Sequence, residues 1–359
     1  KLDELGARIG SPTLVDGSGG AFKPELEILT NGNIALVYAE NHSGIKDTEL
    51  RIFDQSLSLL HSSVVDPSGS GDYMEAHLTD LRTEQFLVSF QYSPNHPTSS
   101  PQGKWGQVVS YDGSKVGSLF ELSSIANNVG GGITELIDNQ KIASVWVDGA
   151  NENGYVSIYD KTTLQLETSI LVADGGDNND VGAVEITPVT GGFWVAYWQD
   201  ANKNGYVQKY SLAGQALTSP LKFDDDLFAI ARVPEIVESG PYHGALSLAW
   251  SVRPGSGGSD STYYQLFDAG SGAALTDALL VSDTAYAEIL SLASQDDGPT
   301  VVFNKPSGIE KSVINHVQQS PYTVTENADV STVILDVNAT DAENDTLQFS
   351  VSGTDASLV

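Results

Sequence analysis

Hydrophobic and polar residues alternate in short runs along most of this chain, and residues 184–217 show the pattern completely. The apolar runs of this stretch are separated by glycine and asparagine turns, as in antiparallel strands joined by hairpins. Four strands in about 45 residues are typical of one blade of a β-propeller. The pattern predicts strands over Val184–Pro188, Phe193–Gln199 and Tyr206–Tyr210, and a short strand near Leu217.

The same unit recurs along the chain, and an aromatic residue ends the third predicted strand of five copies. These aromatic residues are Phe53, Tyr111, Tyr159, Tyr210 and Phe267. The predicted repeats cover residues 20–71, 72–128, 129–179, 185–217, 227–284 and 285–319. We therefore expect an all-β fold, with a six-bladed β-propeller over residues 1–319. A seven-bladed propeller and an array of β-sandwiches are the alternatives.

The two ends of the repeat array are expected to meet. The sixth repeat lacks a fourth strand of its own, whereas Lys1–Asp16 is similar to the last corner of the other repeats. A propeller that pairs its two terminal segments leaves no open sheet edge. The sequence therefore predicts that Arg8–Val15 closes the ring beside Ser312–His316.

Residues 320–359 have a different composition, rich in Thr, Asp and Val, and alternate strictly over Ser331–Val337 and Leu347–Val351. The pieces TENADVSTVILDVNATDAEND and TLQFSVSG resemble the first half of a bacterial cadherin-like domain. The resemblance implies a partial β-sandwich after the propeller. It also implies calcium ligands at Glu326, Asp341 and Glu343.

Charge and composition narrow the classes of partner. The chain has 17 basic and 47 acidic residues, a net charge of -30, which argues against nucleic acid and anionic membranes as ligands. It has no cysteine, so disulfides and zinc–thiolate sites are excluded. No apolar run approaches the roughly 18 residues of a membrane-spanning helix. The first residues lack the character of a signal peptide, so we expect the chain to begin inside a longer protein with further domains.

Two polar loops have the spacing of calcium ligands. Asp200, Asn202 and Asn204 place oxygen atoms at alternate positions before Gly205, which is expected to form the sharp turn. The second loop offers the same pattern with one extra residue. Its candidate ligands are Asp148, Asn151 and Asn153. The alternative is an ordinary turn, in which the side chains bond their own backbone.

Every repeat also carries a glutamate on its first predicted strand. First strands line the central channel of a propeller, so these carboxylates are expected to form a ring. The alternative is that each carboxylate makes a structural hydrogen bond to a neighbouring blade. The predicted members are Glu27 (or Glu25), Glu75, Glu135, Glu185, Glu235 and Glu288.

The repeats resemble those of large calcium-dependent bacterial surface proteins of the RTX type. The motifs that carry the resemblance are Pro234-Glu235-Ile236, Gly191-Gly192-Phe193, Val145-Trp146 and the run from Tyr155 to Asp160. The resemblance implies a non-catalytic, calcium-stabilised module of a secreted or cell-surface protein. Such a module would serve adhesion or bind a glycan or a cell-surface protein.

Two alternatives remain open from the sequence. Some polysaccharide lyases are propellers that use His, Tyr and Arg, and His77, Tyr92 and Arg82 are candidates for those roles. A secreted polysaccharide lyase is therefore the alternative function. A scaffold without any ligand is the third interpretation.

Overall fold

The computed structural model describes residues 14–15, 20–42, 45–65, 72–93, 103–123, 129–130, 132–148, 152–174, 181–199, 204–223, 228–237, 243–253, 261–282, 288–295, 298–305 and 308–313. In this part of the chain all regular secondary structure is β, which confirms the predicted all-β class. No helix that could cross a membrane occurs there.

The first half of the described chain forms three antiparallel sheets, numbered in chain order. Sheet 1 contains β1 (Ala21–Ile28), β2 (Ile34–His42), β3 (Ile45–Phe53) and β4 (Leu59–Val64). Sheet 2 contains β5 (Asp72–Asp80), β6 (Gln85–Ser93), β7 (Gly103–Ser110) and β8 (Lys115–Glu121). Sheet 3 contains β9 (Val129–Gly130), β10 (Thr134–Leu136), β11 (Lys141–Asp148), β12 (Asn153–Asp160) and β13 (Leu166–Ala173).

Three further sheets follow in the same manner. Sheet 4 contains β14 (Val181–Val189), β15 (Gly192–Gln199), β16 (Asn204–Ser211) and β17 (Leu221–Lys222). Sheet 5 contains β18 (Phe228–Ile236), β19 (Leu246–Arg253), β20 (Ser261–Phe267) and β21 (Leu279–Ser282). Sheet 6 contains β22 (Glu288–Gln295), β23 (Gly298–Lys305) and β24 (Gly308–Val313). Five of the six sheets lie entirely within one predicted repeat each. Sheet 4 extends a few residues beyond both ends of the fourth predicted repeat.

In four repeats an aspartate directly follows the aromatic residue of the third strand, and this aromatic–aspartate pair marks the corner between the third and fourth strands. In sheet 1, Asp54 Oδ1 accepts hydrogen bonds from the backbone N–H groups of Ser56, at 2.8 Å, and Ser58, at 2.9 Å. Such side-chain caps stabilise turns because they satisfy backbone donors locally. Hydrogen bonds from their own turns lower the pKa of Asp54 and of the corresponding aspartates, Asp112, Asp160 and Asp268.

The first strands of successive sheets contact one another, in the order β1, β5, β10, β14, β18 and β22. The pairing of the first with the second strand shifts register in sheets 1, 2, 4, 5 and 6. Such bulges increase the local twist of a strand. In sheet 3 the first strand is interrupted instead, so that β9 and β10 both pair with β11.

Apolar side chains fill the space between neighbouring sheets. Leu29 and Ile52 of sheet 1 belong to the same buried cluster as Leu78 and Phe86 of sheet 2. Corresponding clusters join sheets 2 and 3, sheets 3 and 4, and sheets 4 and 5. Full burial of one such side chain contributes about 1.5–3 kcal/mol, so the sheets are held together mainly by their faces.

The chain separates into two compact units, Lys1–Asn315 and His316–Val359. The second unit lies outside the described residues, as do the predicted ligands Glu326, Asp341 and Glu343. The predicted cadherin-like segment therefore stays a prediction. The same holds for ring closure, because only Leu14 and Val15 of the proposed closing segment are described.

Candidate functional site

The first strands bring carboxylates from four sheets towards one another. Glu27 pairs with Ala35, Glu135 with Ala143 and Glu235 with Ser247, in each case one pair before the last of the β-ladder. The residue facing each glutamate across the pair is therefore alanine or serine. A small partner leaves space for the longer glutamate side chain on the same face of the sheet.

The other two glutamates of this region, Glu25 and Glu185, occupy a different register position along their strands. Glu185 pairs with Ala196 and is the first paired residue after the register shift of sheet 4. Glu25 and His77 hold the same place in sheets 1 and 2. Because Glu25 and Glu27 are two positions apart, their side chains leave β1 on the same face.

The backbone register departs from the predicted ring at Glu75, Glu185 and Glu288. Thr79, rather than Glu75, has the register of Glu27 in sheet 2, since it too lies one pair before the end of its ladder. Glu75 falls inside the register shift, and Glu288 precedes the shift of sheet 6. Their side chains lie outside the described residues. The bulges thus place the six glutamates at more than one register, unlike the single repeated position expected from the sequence.

Electrostatic coupling joins the members that the structure describes. Burial raises the pKa of Glu135 to about 8, with further increases from the charges of Glu27, Glu235, Glu25 and Glu185. Burial also raises the pKa of Glu27 to about 7, helped by Asp80 and Glu25 and opposed by Arg82. Glu27 and Glu135 nevertheless keep partial contact with solvent. We therefore define the acidic centre as Glu25, Glu27, Glu135, Glu185 and Glu235.

Two basic residues border the acidic centre at sheet 2. His77 Nδ1 lies 3.7 Å from Glu25 Oε1, and both side chains are partly exposed. Arg82 is exposed in the turn after β5, with a φ of 56°. It acts on Glu27, whereas His77 lies beside Glu25. The side chain of Tyr92, the third residue of the predicted lyase set, lies outside the described residues.

A buried carboxylate fixes the position of these turns. Asp80 accepts hydrogen bonds from Thr30 N (2.7 Å), Thr30 Oγ1 (2.6 Å), Tyr111 OH (2.6 Å) and Arg82 N (2.8 Å). Burial alone would raise the pKa of Asp80, but the hydrogen bonds outweigh it and hold the pKa below its usual range. Sequence reasoning missed Asp80, because its partner Thr30 is 50 positions away.

The predicted calcium loops are the hairpins between the second and third strands of sheets 3 and 4. Asp148 is fully buried at the end of β11 and pairs with Asn153, the first residue of β12. Asn204 begins β16 in the corresponding place. The amide nitrogens of Asn153 and Asn204 donate hydrogen bonds to the hydroxyls of Tyr155 and Tyr206. The other predicted ligands, Asn151, Asp200 and Asn202, lie outside the described residues.

The expected role of Gly205 as the turn residue of a calcium loop is wrong. Gly205 lies within β16 and pairs with Trp198. A Cβ at this position would be 2.3 Å from the ring of Phe223, so glycine is required by that close approach. Among the described residues, no three His, Cys, Asp or Glu side chains are grouped closely enough to hold a metal ion. Calcium binding therefore stays a prediction.

Comparison with known proteins identifies the fold and no family. No family model and no curated protein match the sequence, so the RTX-type and cadherin-like resemblances gain no support. The Penicillium chrysogenum α-L-arabinanase in complex with arabinobiose is similar in structure. The match has 12% identity and a TM-score of 0.51, and it covers 85% of this chain and 96% of the arabinanase.

A second solved structure, Kuenenia stuttgartiensis hydrazine synthase, also has 12% identity. Its TM-score is 0.52, and the match covers 83% of this chain and 77% of that one. Identities this low speak for the fold alone. The two structural matches and the small antiparallel sheets, whose first strands contact one another, together indicate that this chain has a β-propeller fold.

Proposed function

We propose that this chain is a glycan-hydrolysing β-propeller whose substrate binds at the acidic centre. The observation that carries the proposal is the arrangement of the first strands, which brings carboxylates of four sheets into mutual interaction at partly exposed positions. A substrate bound there would contact several sheets at once. Sites where elements converge are common places for ligands in such folds.

Glycoside hydrolysis needs two carboxyl groups in different protonation states. One donates a proton to the leaving oxygen, and the other, ionised, activates water or attacks the sugar. The raised pKa of Glu135, about 8, keeps this side chain protonated at neutral pH and suits it to the role of acid. The ionised partner would come from Glu185 or Glu235, which act on Glu135 from the two following sheets.

The described carboxylates form no metal-ligand group, which favours an organic substrate over one central cation. They are coupled electrostatically, yet in the described part of the chain no three of them are grouped as metal ligands. Hydrolases separate their two carboxyl groups by about 5–10 Å to admit a sugar and a water molecule. The fold-level likeness to an arabinanase with bound arabinobiose gives additional, weaker support for a glycan.

The adhesion and lyase interpretations have less support. The likeness to solved structures concerns the fold alone, and nothing in it favours adhesion. For the lyase, His77 and Arg82 lie beside different glutamates of sheet 1. A secreted location and further domains in a longer chain stay predictions.

The proposal is tested by incubating the full chain with soluble polysaccharides and measuring new reducing ends. Glu135→Gln should lower the rate at least about 100-fold while leaving binding nearly intact, because it removes the proton donor. Glu167→Gln is the matched control, since Glu167 lies on β13 and pairs with Lys141. Equal rates in the Glu135→Gln variant and the parent chain, or no reducing ends from any polymer, would overturn the proposal.

A further inference from the structure

The charges around the acidic centre carry information about the substrate. Five carboxylates belong to this centre, and His77 and Arg82 are the basic residues that the structure describes beside them. Glu25, Glu185 and Glu235 lie on β1, β14 and β18, which belong to the same series of contacting first strands as the strand of Glu135, so carboxylates of three other strands act on Glu135. The whole chain adds to this field with its net charge of -30.

We infer that the centre accepts uncharged glycans and rejects polymers of uronic acids. This inference rests on the proposed function, because it concerns the substrate of the same site. A uronate carboxylate entering the centre would face like charges in surroundings that screen them poorly. The described residues also group no metal ligands there, so a bridging cation has no prepared site through which it could neutralise the substrate.

Among the described residues, the basic side chains beside the centre are too few to reverse this preference. Arg82 interacts with Glu27, and the His77 ring lies beside Glu25. Each is therefore already engaged with a carboxylate of the centre. Recognition of an anionic polymer generally requires arginine or lysine side chains free to pair with its carboxylates.

The test compares polymers that share one backbone. Polygalacturonate, its methyl ester and its carboxyl-reduced form are titrated against the full chain at low salt. Reducing ends are measured in parallel. We expect the two uncharged forms to bind at least about tenfold more tightly than polygalacturonate, and the difference to shrink as salt increases. Equal binding of all three polymers at low salt would overturn the inference and leave the proposed function standing.

A double variant identifies the source of the discrimination. Glu185→Gln with Glu235→Gln should reduce the preference for the uncharged polymers, whereas Glu84→Gln, an exposed change in the turn after β5, should leave it intact. An unchanged preference in the double variant would place its origin elsewhere and overturn the inference. If none of the polymers binds or is cleaved, and a wider panel of neutral glycans also fails, the proposed function itself is wrong.

Discussion

The hydroxyl of Tyr111 donates a 2.6 Å hydrogen bond to Asp80, and the same carboxylate accepts two hydrogen bonds from Thr30 of the preceding sheet. One buried side chain therefore joins the β1–β2 turn, the end of β5 and the end of the third strand of sheet 2. The backbone N–H of Arg82 donates to the same carboxylate, so the β5–β6 turn is also held by Asp80. This connection holds the turn after β1, the strand that carries Glu27, against sheet 2.

Asp80→Ala should lower the free energy of unfolding by about 2–4 kcal/mol, because it leaves buried donors without their acceptor. The measurement is equilibrium unfolding in urea. Asp112→Ala is the control, since Asp112 caps an exposed turn through Ser114 N, and we expect it to lose about 1 kcal/mol or less. Equal losses in the two variants would contradict the assigned role of Asp80.

Lys104 joins sheets 2 and 3 from a buried position, with 1% of its surface exposed. Its Nζ donates to the carbonyl oxygens of Gly132, Ile133 and Val145. Lys104→Met keeps most of the apolar stem but removes these donors, so we expect a loss of about 1–3 kcal/mol in the unfolding free energy. Lys115→Met, at an exposed site, should change it by less than about 0.5 kcal/mol. An unchanged unfolding free energy in the Lys104→Met variant would show that the lysine does not hold the sheets together.

Stability should decline as the pH rises from 5 to 9. Glu27 and Glu135 have pKa values of about 7 and about 8 in the folded chain, above the ordinary glutamate value of 4.5. Between pH 4.5 and 8 the folded state therefore binds more protons than the unfolded state, and the free energy of unfolding falls as pH increases. We expect the melting temperature to drop by at least about 3 °C.

Glu135→Gln should flatten this dependence, because glutamine stays uncharged throughout the range. Glu167→Gln serves again as the control and should keep the parent slope. Scanning calorimetry at several pH values measures the effect. A parent chain with constant stability from pH 5 to 9 would show that the acidic centre is not protonated in the way described.

Gly205→Ala should destabilise the chain by about 1–3 kcal/mol, since the added methyl group overlaps the ring of Phe223 and forces the packing to shift. Gly270→Ala is the comparison and should destabilise the chain less. A Cβ added at Gly270 would lie 3.2 Å from its nearest neighbour, the Asp268 carboxylate oxygen, in an exposed turn. Thermal melts of both variants give the difference. If Gly205→Ala is as stable as the parent chain, the contact with Phe223 does not require glycine at this position.

Calcium binding by the β11–β12 and β15–β16 hairpins remains our proposal. Millimolar calcium should raise the melting temperature relative to chelator, because binding to the folded state stabilises it by mass action. Sites of extracellular modules bind with dissociation constants of about 0.1–1 mM. The double variant Asp200→Ala with Asn202→Ala should reduce the calcium-dependent rise in melting temperature. Asp138→Ala, in the exposed β10–β11 turn, should leave this rise unchanged. Identical melting curves with calcium and chelator would contradict the proposal.

The sequence by itself determined the local structure of this protein. Period-two alternation and glycine–asparagine turns are short-range signals, so each repeat predicted its own antiparallel sheet, as the run from Val184 to Leu217 did for sheet 4. The aromatic–aspartate pair of Phe53 and Asp54 likewise marked a corner, because the aspartate bonds its own turn. Such features depend on neighbours within a few positions along the chain.

Only the tertiary structure decided which side chains share the acidic centre. The register shift in β5 gives Thr79 the place that Glu75 was expected to fill, and a bulge of this kind leaves no local mark in composition. The packing of Phe223 on Gly205 and the approach of His77 to Glu25 join different strands or sheets. Alternation along a strand specifies its faces, but pairing register and contacts between sheets depend on residues far apart in the chain.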